Sequence, residues 1–374
     1  MTPPNLARTC AAVASASVIL AGGLGAQERE FVYVSSVTGT TAAGRALTTV
    51  TDQTTQVLEQ LGQALRQHGL DLPHVVVVNV FLKDARHFQD MNAVYRRFFP
   101  SDPPTRATAR VDLPDPDALI QLSAVAARGS KQVIAPAGMA SPSLPYSWGI
   151  KVGNTLFLSG MTSRAPDTYE PLLGDVPTQT RRIFGNMGLV LQAAGMDFKD
   201  LTTCRVFLDD ARRFLGLNQA YAEFVPAEDP PARATVRAGL MNPGFDVELQ
   251  CIAEPSASRK VVMAEGQQRS RAPLSPAIST GNRLYLSGML GGAGDVAAQT
   301  RTTLDNLLGT LRAAGMDFSH LVDLWVYVTD LRQWEAVKRV LDEVLPAGGP
   351  EPTVVGTPLM GANFLVEIQM IAER

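Results

Sequence analysis

The hydrophobic pattern of this chain switches between two periods, and the switches recur. Between Val176 and Ala194 the apolar residues Ile183, Met187, Val190 and Leu191 fall on one helical face, and Gly195 follows as a natural C-cap. Leu201 to Leu208 is a run rich in strand formers. Asp210 to Phe224 returns to helical spacing through Phe214, Leu217, Tyr221 and Phe224, and Ala232 to Ala238 and Phe245 to Ala253 read as strands again. Upstream, Lys131 to Ala135 is a short strand, and the apolar runs Trp148 to Val152 and Thr155 to Leu158 flank Gly153-Asn154 as a hairpin. The unit predicted is β-β-β-α-β-α-β-β, an α+β domain with two helices on one face of a mixed sheet.

That unit occurs three times. Gln53-Thr54, Gln179-Thr180 and Gln299-Thr300 each open a helical run that ends 16 residues after the Gln, at Gly69-Leu70-Asp71, Gly195-Met196-Asp197 and Gly315-Met316-Asp317. The copies are offset by 126 and 120 residues. Solenoid repeats run at roughly 20–50 residues, so the copies are whole domains. The domains expected are 27–128, 131–254 and 259–374. The first copy lacks the opening strand and starts almost directly at Phe31-Val-Tyr-Val-Ser-Ser.

Residues 1–26 break the pattern. Arg8 is their only charge, and an acid-free run of small and apolar residues from Ala11 to Ala26 precedes Gln-Glu-Arg-Glu. This predicts a secretory signal peptide and a periplasmic or secreted mature chain. Beyond it nothing approaches the roughly 18–20 apolar residues of a spanning helix, so no membrane segment is expected in the mature chain. With 33 basic and 36 acidic residues the formal net charge is −3, and no basic track interleaved with aromatics offers a nucleic-acid surface.

Little else suggests chemistry by motif. His68, His74, His87 and His320 have no spacing that builds a metal site, and Gly291-Gly292-Ala-Gly294 lacks the Lys-Ser/Thr of a phosphate loop. Cys204 and Cys251 lie in strand-like runs of the middle copy and read as two small buried thiols, a disulfide being the alternative in an exported protein.

The middle copy resembles the RidA/YjgF family of enamine/imine deaminases. The resemblance is carried by Leu-Pro-Tyr146-Ser-Trp-Gly-Ile-Lys-Val-Gly-Asn, Leu-Ser159-Gly160, Gln179-Thr, Leu217-Asn218-Gln-Ala-Tyr221-Ala-Glu-Phe, Pro231-Ala-Arg233-Ala-Thr235-Val and Val-Glu248-Leu-Gln-Cys-Ile-Ala. It implies three tandem chorismate-mutase-like domains. Family members are homotrimers with ligand pockets between subunits, so three copies in one chain imply a monomeric pseudo-trimer. The implied reaction is 2-iminobutanoate/2-iminopropanoate deaminase-like: hydrolysis of a small carboxylate-bearing imine to a 2-keto acid and ammonia, without metal or cofactor.

The resemblance assigns Arg233, and Arg106 in the first copy, to hold the substrate carboxylate, a task suited to a planar guanidinium fork. It assigns Glu248 to orient and deprotonate a water. These are the expected catalytic residues, with one well-equipped site around Arg233 and Glu248 and a weaker one around Arg106; because family pockets lie between subunits, each site is open to residues borrowed from an adjacent copy, and the sequence does not say which copies pair. Tyr146, Ser159, Gly160, Asn218 and Thr235 are expected to line the first of these, and Ser35, Asn92, Thr108 and Gln121 the second. Gln121 stands at the Glu248 position, and can orient a water but not take its proton. The third copy keeps Ser287-Gly288 and Glu367 but has Leu274 for Tyr146 and Lys338 for Asn218, and no Arg where Pro352 or Val354 falls. The reading from another functional class is a non-catalytic carboxylate-binding or scaffold protein of the same fold. A ribonuclease activity, also attached to the family, has no basic surface here to support it.

Overall fold

The computed structural model describes residues 29–42 and 45–374; the segment read as a signal peptide lies outside them. Three main sheets form, one centred on each copy, beside a two-stranded ribbon of Thr41–Ala42 and Arg45–Ala46. In the middle copy the strands Lys131–Ile134, Gly149–Val152, Thr155–Leu158, Val247–Ala253, Leu201–Leu208 and Ala232–Arg237 lie side by side in that order. All neighbours are antiparallel except Leu201–Leu208 and Ala232–Arg237, whose parallel pairing requires the helical crossover between them. The third copy repeats this order. The first shows counterparts of the last four strands of that order, beginning with Phe31–Thr38, which pairs with the last strand as Thr155–Leu158 does in the middle copy.

Each sheet carries two helices: α1 (Val50–Arg66) and α2 (Phe88–Phe98), α3 (Val176–Ala193) and α4 (Phe214–Tyr221), α5 (Val296–Ala313) and α6 (Trp334–Val344). The long helices start at Thr49, Asp175 and Asp295, whose side chains accept from backbone N–H groups of the first turn. They stop at Gly69, Gly195 and Gly315, each with φ between +70° and +74°, a conformation glycine adopts without a Cβ penalty. Helix α4 is shorter than the pattern predicted. Asp210 caps a separate 3₁₀ turn, Ala211–Arg213, and the helix proper starts at Phe214.

The repeated Gln is a structural clasp. The Gln179 amide donates to the carbonyls of Gly174 and Gly244 and accepts from the Asp246 N–H. Gln53 and Gln299 make the same double connection, to Asp117 and Leu119 and to Asn363 and Leu365. Each therefore ties the start of a long helix to the loop that feeds the last strand.

One sheet face is covered by the helices and the other by the neighbouring copies. Phe81, Phe207 and Tyr327 occupy matching positions on the central strands, and all three belong to one buried cluster with Ala107, Ala234, Trp325 and Val355. Phe81 meets Phe207 and Trp325 edge-on, at centroid distances of 6.4 and 5.8 Å. The ring closes through all three seams: Arg110 pairs with Gly239, Val236 with Leu359, and Asp112 with Gly356. The molecule is thus a pseudo-trimer within one chain.

Cys204 and Cys251 face each other across an antiparallel pair and form a disulfide, against the reading of two free thiols. Their strand register, which the sequence pattern does not specify, puts the two Cα atoms 4.1 Å apart. Replacing both cysteines by alanine is expected to lower the unfolding free energy by about 2–4 kcal/mol in denaturant titration. Equal stability of oxidised and reduced wild-type protein would contradict a structural role for the bond.

Candidate functional site

The sites form where the Ser-Gly pair that follows Thr155–Leu158 or Arg283–Leu286 in one copy meets the Pro-x-Arg strand of another, so each is built from two copies. At the seam between the first and second copies, Gly160 N–H donates to the Arg106 carbonyl (3.0 Å) and Arg106 N–H donates to Ser159 Oγ (2.9 Å). Ser159 Oγ in turn donates to the Ser147 carbonyl. Two residues on, Thr108 N–H donates to Glu248 Oε1 at 3.2 Å. Arg106 of copy one and Glu248 of copy two therefore share a cleft of about 400 Å³, together with Thr108, Tyr146, Gly160, Arg164 and Tyr169.

The seam between the second and third copies repeats the arrangement. Gly288 N–H donates to the Arg233 carbonyl and Arg233 N–H to Ser287 Oγ. The Thr235 N–H hydrogen-bonds the Glu367 carboxylate. Arg233 and Glu248 consequently lie in different clefts, which corrects the expectation of a single site containing both. The reason is topological: within a copy the Arg strand lies at one seam, and the last-strand Glu reaches the other. Glu367, which had no Arg in its own copy, takes one from the second.

Glycine is required at both crossings. A Cβ on Gly160 would collide with the Glu248 carboxylate and with Ala107, and one on Gly288 would collide with Glu367. The third seam shows what replaces this contact. Ser36 stands at the glycine position with φ +34°, accepts from Val354 N–H at 3.2 Å and donates to the Pro352 carbonyl at 3.0 Å. Strand pairing places Pro352, not Val354, at the Arg position. The Ser36 hydroxyl occupies the acceptor role that a Glu carboxylate has elsewhere, and Gln121 turns its amide to the Val354 carbonyl (2.9 Å). Gln121 and Ser35 were expected beside Arg106; they belong instead to this third seam, where Pro352 has no N–H to offer Ser35.

The two equipped clefts differ. Arg106 is buried with its Nη1 unpaired, and it lies 4.9 Å from the Tyr95 ring centroid and 5.8 Å from those of Phe88 and Tyr146. The Tyr146 hydroxyl is hydrogen-bonded to that of Tyr169 at 2.7 Å. Arg233 is likewise buried but gives Nη2 to Asn218 Oδ1 at 2.7 Å, leaving Nη1 and Nε unpaired. Asn92, the counterpart of Asn218 on α2, is buried with both amide atoms unpaired. Thr235 is buried with its hydroxyl free of partners. Phe88, Arg164, Tyr169 and Phe245 were not singled out from the sequence. Arg164 and Tyr169 lie in a loop peculiar to the second copy, and no motif signal would have found them.

Burial pushes Glu248 up to about 7, against the opposing pull of the Thr108 N–H, Arg106 and Arg164. Burial likewise raises Glu367 to about 8, opposed by the Thr235 N–H and Arg233. A carboxyl poised near neutrality can exchange protons in both directions. Both guanidiniums are pulled below their ordinary value by burial, yet an Arg so placed stays charged. Unpaired N–H groups on a buried cation constitute a ready receptor for a carboxylate. Among the described residues, no group of three or more His, Cys, Asp or Glu side chains could hold a metal ion, and no helix is long and apolar enough to cross a membrane.

Similarity to known proteins places this architecture in a family. A profile of the family described as Endoribonuclease L-PSP matches residues 24–128, 138–255 and 266–374. A RutC family protein of Pyrococcus horikoshii is 36% identical over 123 residues, covering 97% of that protein and 33% of this chain. The 3-aminoacrylate deaminase RutC of Acinetobacter baylyi is 33% identical over 123 residues, covering 97% of its length and 33% of this chain. Reactive Intermediate Deaminase A of Arabidopsis thaliana is 33% identical over 132 residues, 70% of its length and 35% of this chain. A chorismatase crystal structure shares the fold, with a TM-score of 0.53 at 17% identity over 80% of this chain and 93% of that one. The chain belongs to the RidA/YjgF family, here as three tandem copies.

The raised Glu248 has a consequence for stability. Its protonated form favours the folded state, a contribution complete below about 4.5 and lost as pH climbs towards 7. Glu248→Gln removes that loss. The variant is expected to match wild type near pH 4.5 and to exceed it by on the order of 2 kcal/mol at pH 8, read by denaturant unfolding at the two pH values. A pH-independent difference would mean that Glu248 ionises as an ordinary carboxyl.

Proposed function

We propose that this protein is a Rid-type enamine/imine deaminase that hydrolyses small carboxylate-bearing imines to 2-keto acids and ammonia. The observation that carries the reading is the cleft between the first two copies, where the unpaired Arg106 guanidinium and the near-neutral Glu248 carboxyl face one cavity. Arg106 binds the substrate carboxylate. The substrate reacts as its N-protonated imine: Glu248, once ionised, takes one proton from a water whose oxygen adds to the imine carbon as the C=N π pair moves to nitrogen, giving a neutral carbinolamine. The protonated Glu248 then returns that proton to nitrogen, the C–N bond breaks with its electron pair leaving on ammonia, and the carbinolamine hydroxyl proton passes back to the Glu248 carboxylate as the C=O of the 2-keto acid forms. Arg233 and Glu367 form a second site of the same kind. The names of the deaminase relatives from Acinetobacter baylyi and Arabidopsis thaliana support this class of reaction.

Export to the periplasm or medium is part of the proposal. The Cys204–Cys251 disulfide supports it, since such bonds persist mainly in oxidising compartments. Export also favours a second reading, in which the clefts bind carboxylates without turnover, because the familiar enamine sources are inside cells.

Both readings are separated by generating 2-iminopropanoate in situ with an amino-acid oxidase and following loss of its semicarbazide adduct. Arg106→Ala is expected to lower kcat/KM for the first cleft on the order of a hundredfold, and Arg106→Ala with Arg233→Ala to abolish turnover. Wild type and the double variant performing alike would remove the catalytic reading. Pyruvate-dependent thermal shifts without turnover would leave the binding one.

A further inference from the structure

A second cation in the first cleft goes unused by the reaction as written. Arg164 lines the same cavity as Arg106 and Glu248, and both arginines act on the Glu248 carboxyl. Its guanidinium is held between two rings, 4.3 Å from the Tyr169 centroid and 4.9 Å from that of Phe245. Its Nη1 donates to the Tyr169 carbonyl at 3.0 Å, and no carboxylate among the described residues forms an ion pair with it.

The loop that presents Arg164 is built rather than loose. Arg164 pairs with Pro171, Ala165 N–H bonds Glu170, and the Arg164 carbonyl accepts from Asn186 Nδ2 on α3. Tyr169 is held at φ +65°, a conformation that costs a non-glycine residue energy and persists where the surroundings enforce it. That conformation gives Tyr169 two roles at once: its ring stacks on Arg164 and its hydroxyl bonds Tyr146, whose ring lies beside Arg106. One aromatic wall therefore connects the two cations. Five residues past the matching serines, the other copies have Thr40 and Gly292, so neither has a cation at the Arg164 position.

We propose that the first cleft is specific for a dicarboxylate imine of the 2-iminosuccinate type, with Arg106 holding the carboxylate next to the imine carbon and Arg164 the distal one. A monocarboxylate leaves the Arg164 guanidinium with no carboxylate in ion-pair contact, whereas a dicarboxylate pairs both arginines. Water adds to the imine carbon and ammonia leaves, so 2-iminosuccinate and water give oxaloacetate and ammonia. Such an imine is supplied by oxidation of a four-carbon acidic amino acid. The proposal rests on the deaminase reading for its chemistry, but not for its recognition.

The test compares 2-iminosuccinate with 2-iminopropanoate, each generated in situ by the matching amino-acid oxidase, in wild type, Arg164→Met and Arg164→Lys. Arg233→Ala is present throughout so that only the first cleft is read. We expect kcat/KM to favour the dicarboxylate on the order of a hundredfold, the ratio to fall at least tenfold in Arg164→Met, and Arg164→Lys to keep part of it. Because the ratio is taken within one variant, partial loss of folded protein cancels. An unchanged ratio in Arg164→Met, or no preference in wild type, overturns the proposal. If wild type turns over neither imine, the deaminase reading fails by itself, and thermal shifts decide the recognition. A larger shift by oxaloacetate than by pyruvate, lost in Arg164→Met, supports the dicarboxylate site, and equal shifts overturn it.

Discussion

The backbone crossing between copies is the contact on which both the assembly and the site depend. An Arg residue gives its carbonyl and its N–H to a Ser-Gly pair of the next copy, and the residue two further on gives its N–H to that copy's last-strand Glu. These bonds fix the seam, and they also deliver a buried cation and a buried carboxyl to one cleft. The sheet's helix-free face must be covered by a neighbour in any case. Placing the chemistry on that seam means that no copy holds a complete site on its own.

This constraint explains which parts of the site were legible in the sequence. Arg106, Arg233, Glu248 and the Ser-Gly pair could be read because their roles demand particular residue types: a fork for a carboxylate, an ionisable oxygen, and a position with no room for a Cβ. The pairing of Arg106 with Glu248 could not be read. Hydrophobic periodicity tells which face of a strand is buried, but it carries no label for the copy that buries it. The three-domain organisation and the α+β unit were plain from the two periods, and the helix stops from Gly69, Gly195 and Gly315. Cys204 and Cys251 were placed in strands, yet their bond depends on a register that alternation alone leaves open. Arg164 sits in a loop without repeat or motif, so its meaning arises only from the rings packed around it.

Fusion into one chain also releases the seams from symmetry. A homotrimer has three identical clefts, and any substitution acts on all of them. Here each seam has gone its own way. The first pairs an unpartnered Arg106 with Tyr146, Tyr169 and Arg164; the second engages Arg233 with Asn218 and has Leu274 in place of the tyrosine. Neither change would be available singly to a symmetric assembly.

The third seam shows that loss of a site can preserve the contact that holds the ring. Three changes there fit one another: serine for glycine, glutamine for glutamate, and proline for arginine. A Ser Cβ in that place is incompatible with a Glu carboxylate in the position it takes at the other two seams. With the acid gone, the Ser36 hydroxyl takes the N–H of Val354 and bonds the Pro352 carbonyl, and the Gln121 amide donates to the Val354 carbonyl. The Pro352 carbonyl and the N–H and C=O of Val354 thus all have partners, which matters because an orphaned buried N–H or C=O costs about 1–3 kcal/mol. The seam has exchanged a charged, reactive set for a neutral one that holds both the N–H and the C=O of Val354, and the closed ring that both remaining clefts require is retained.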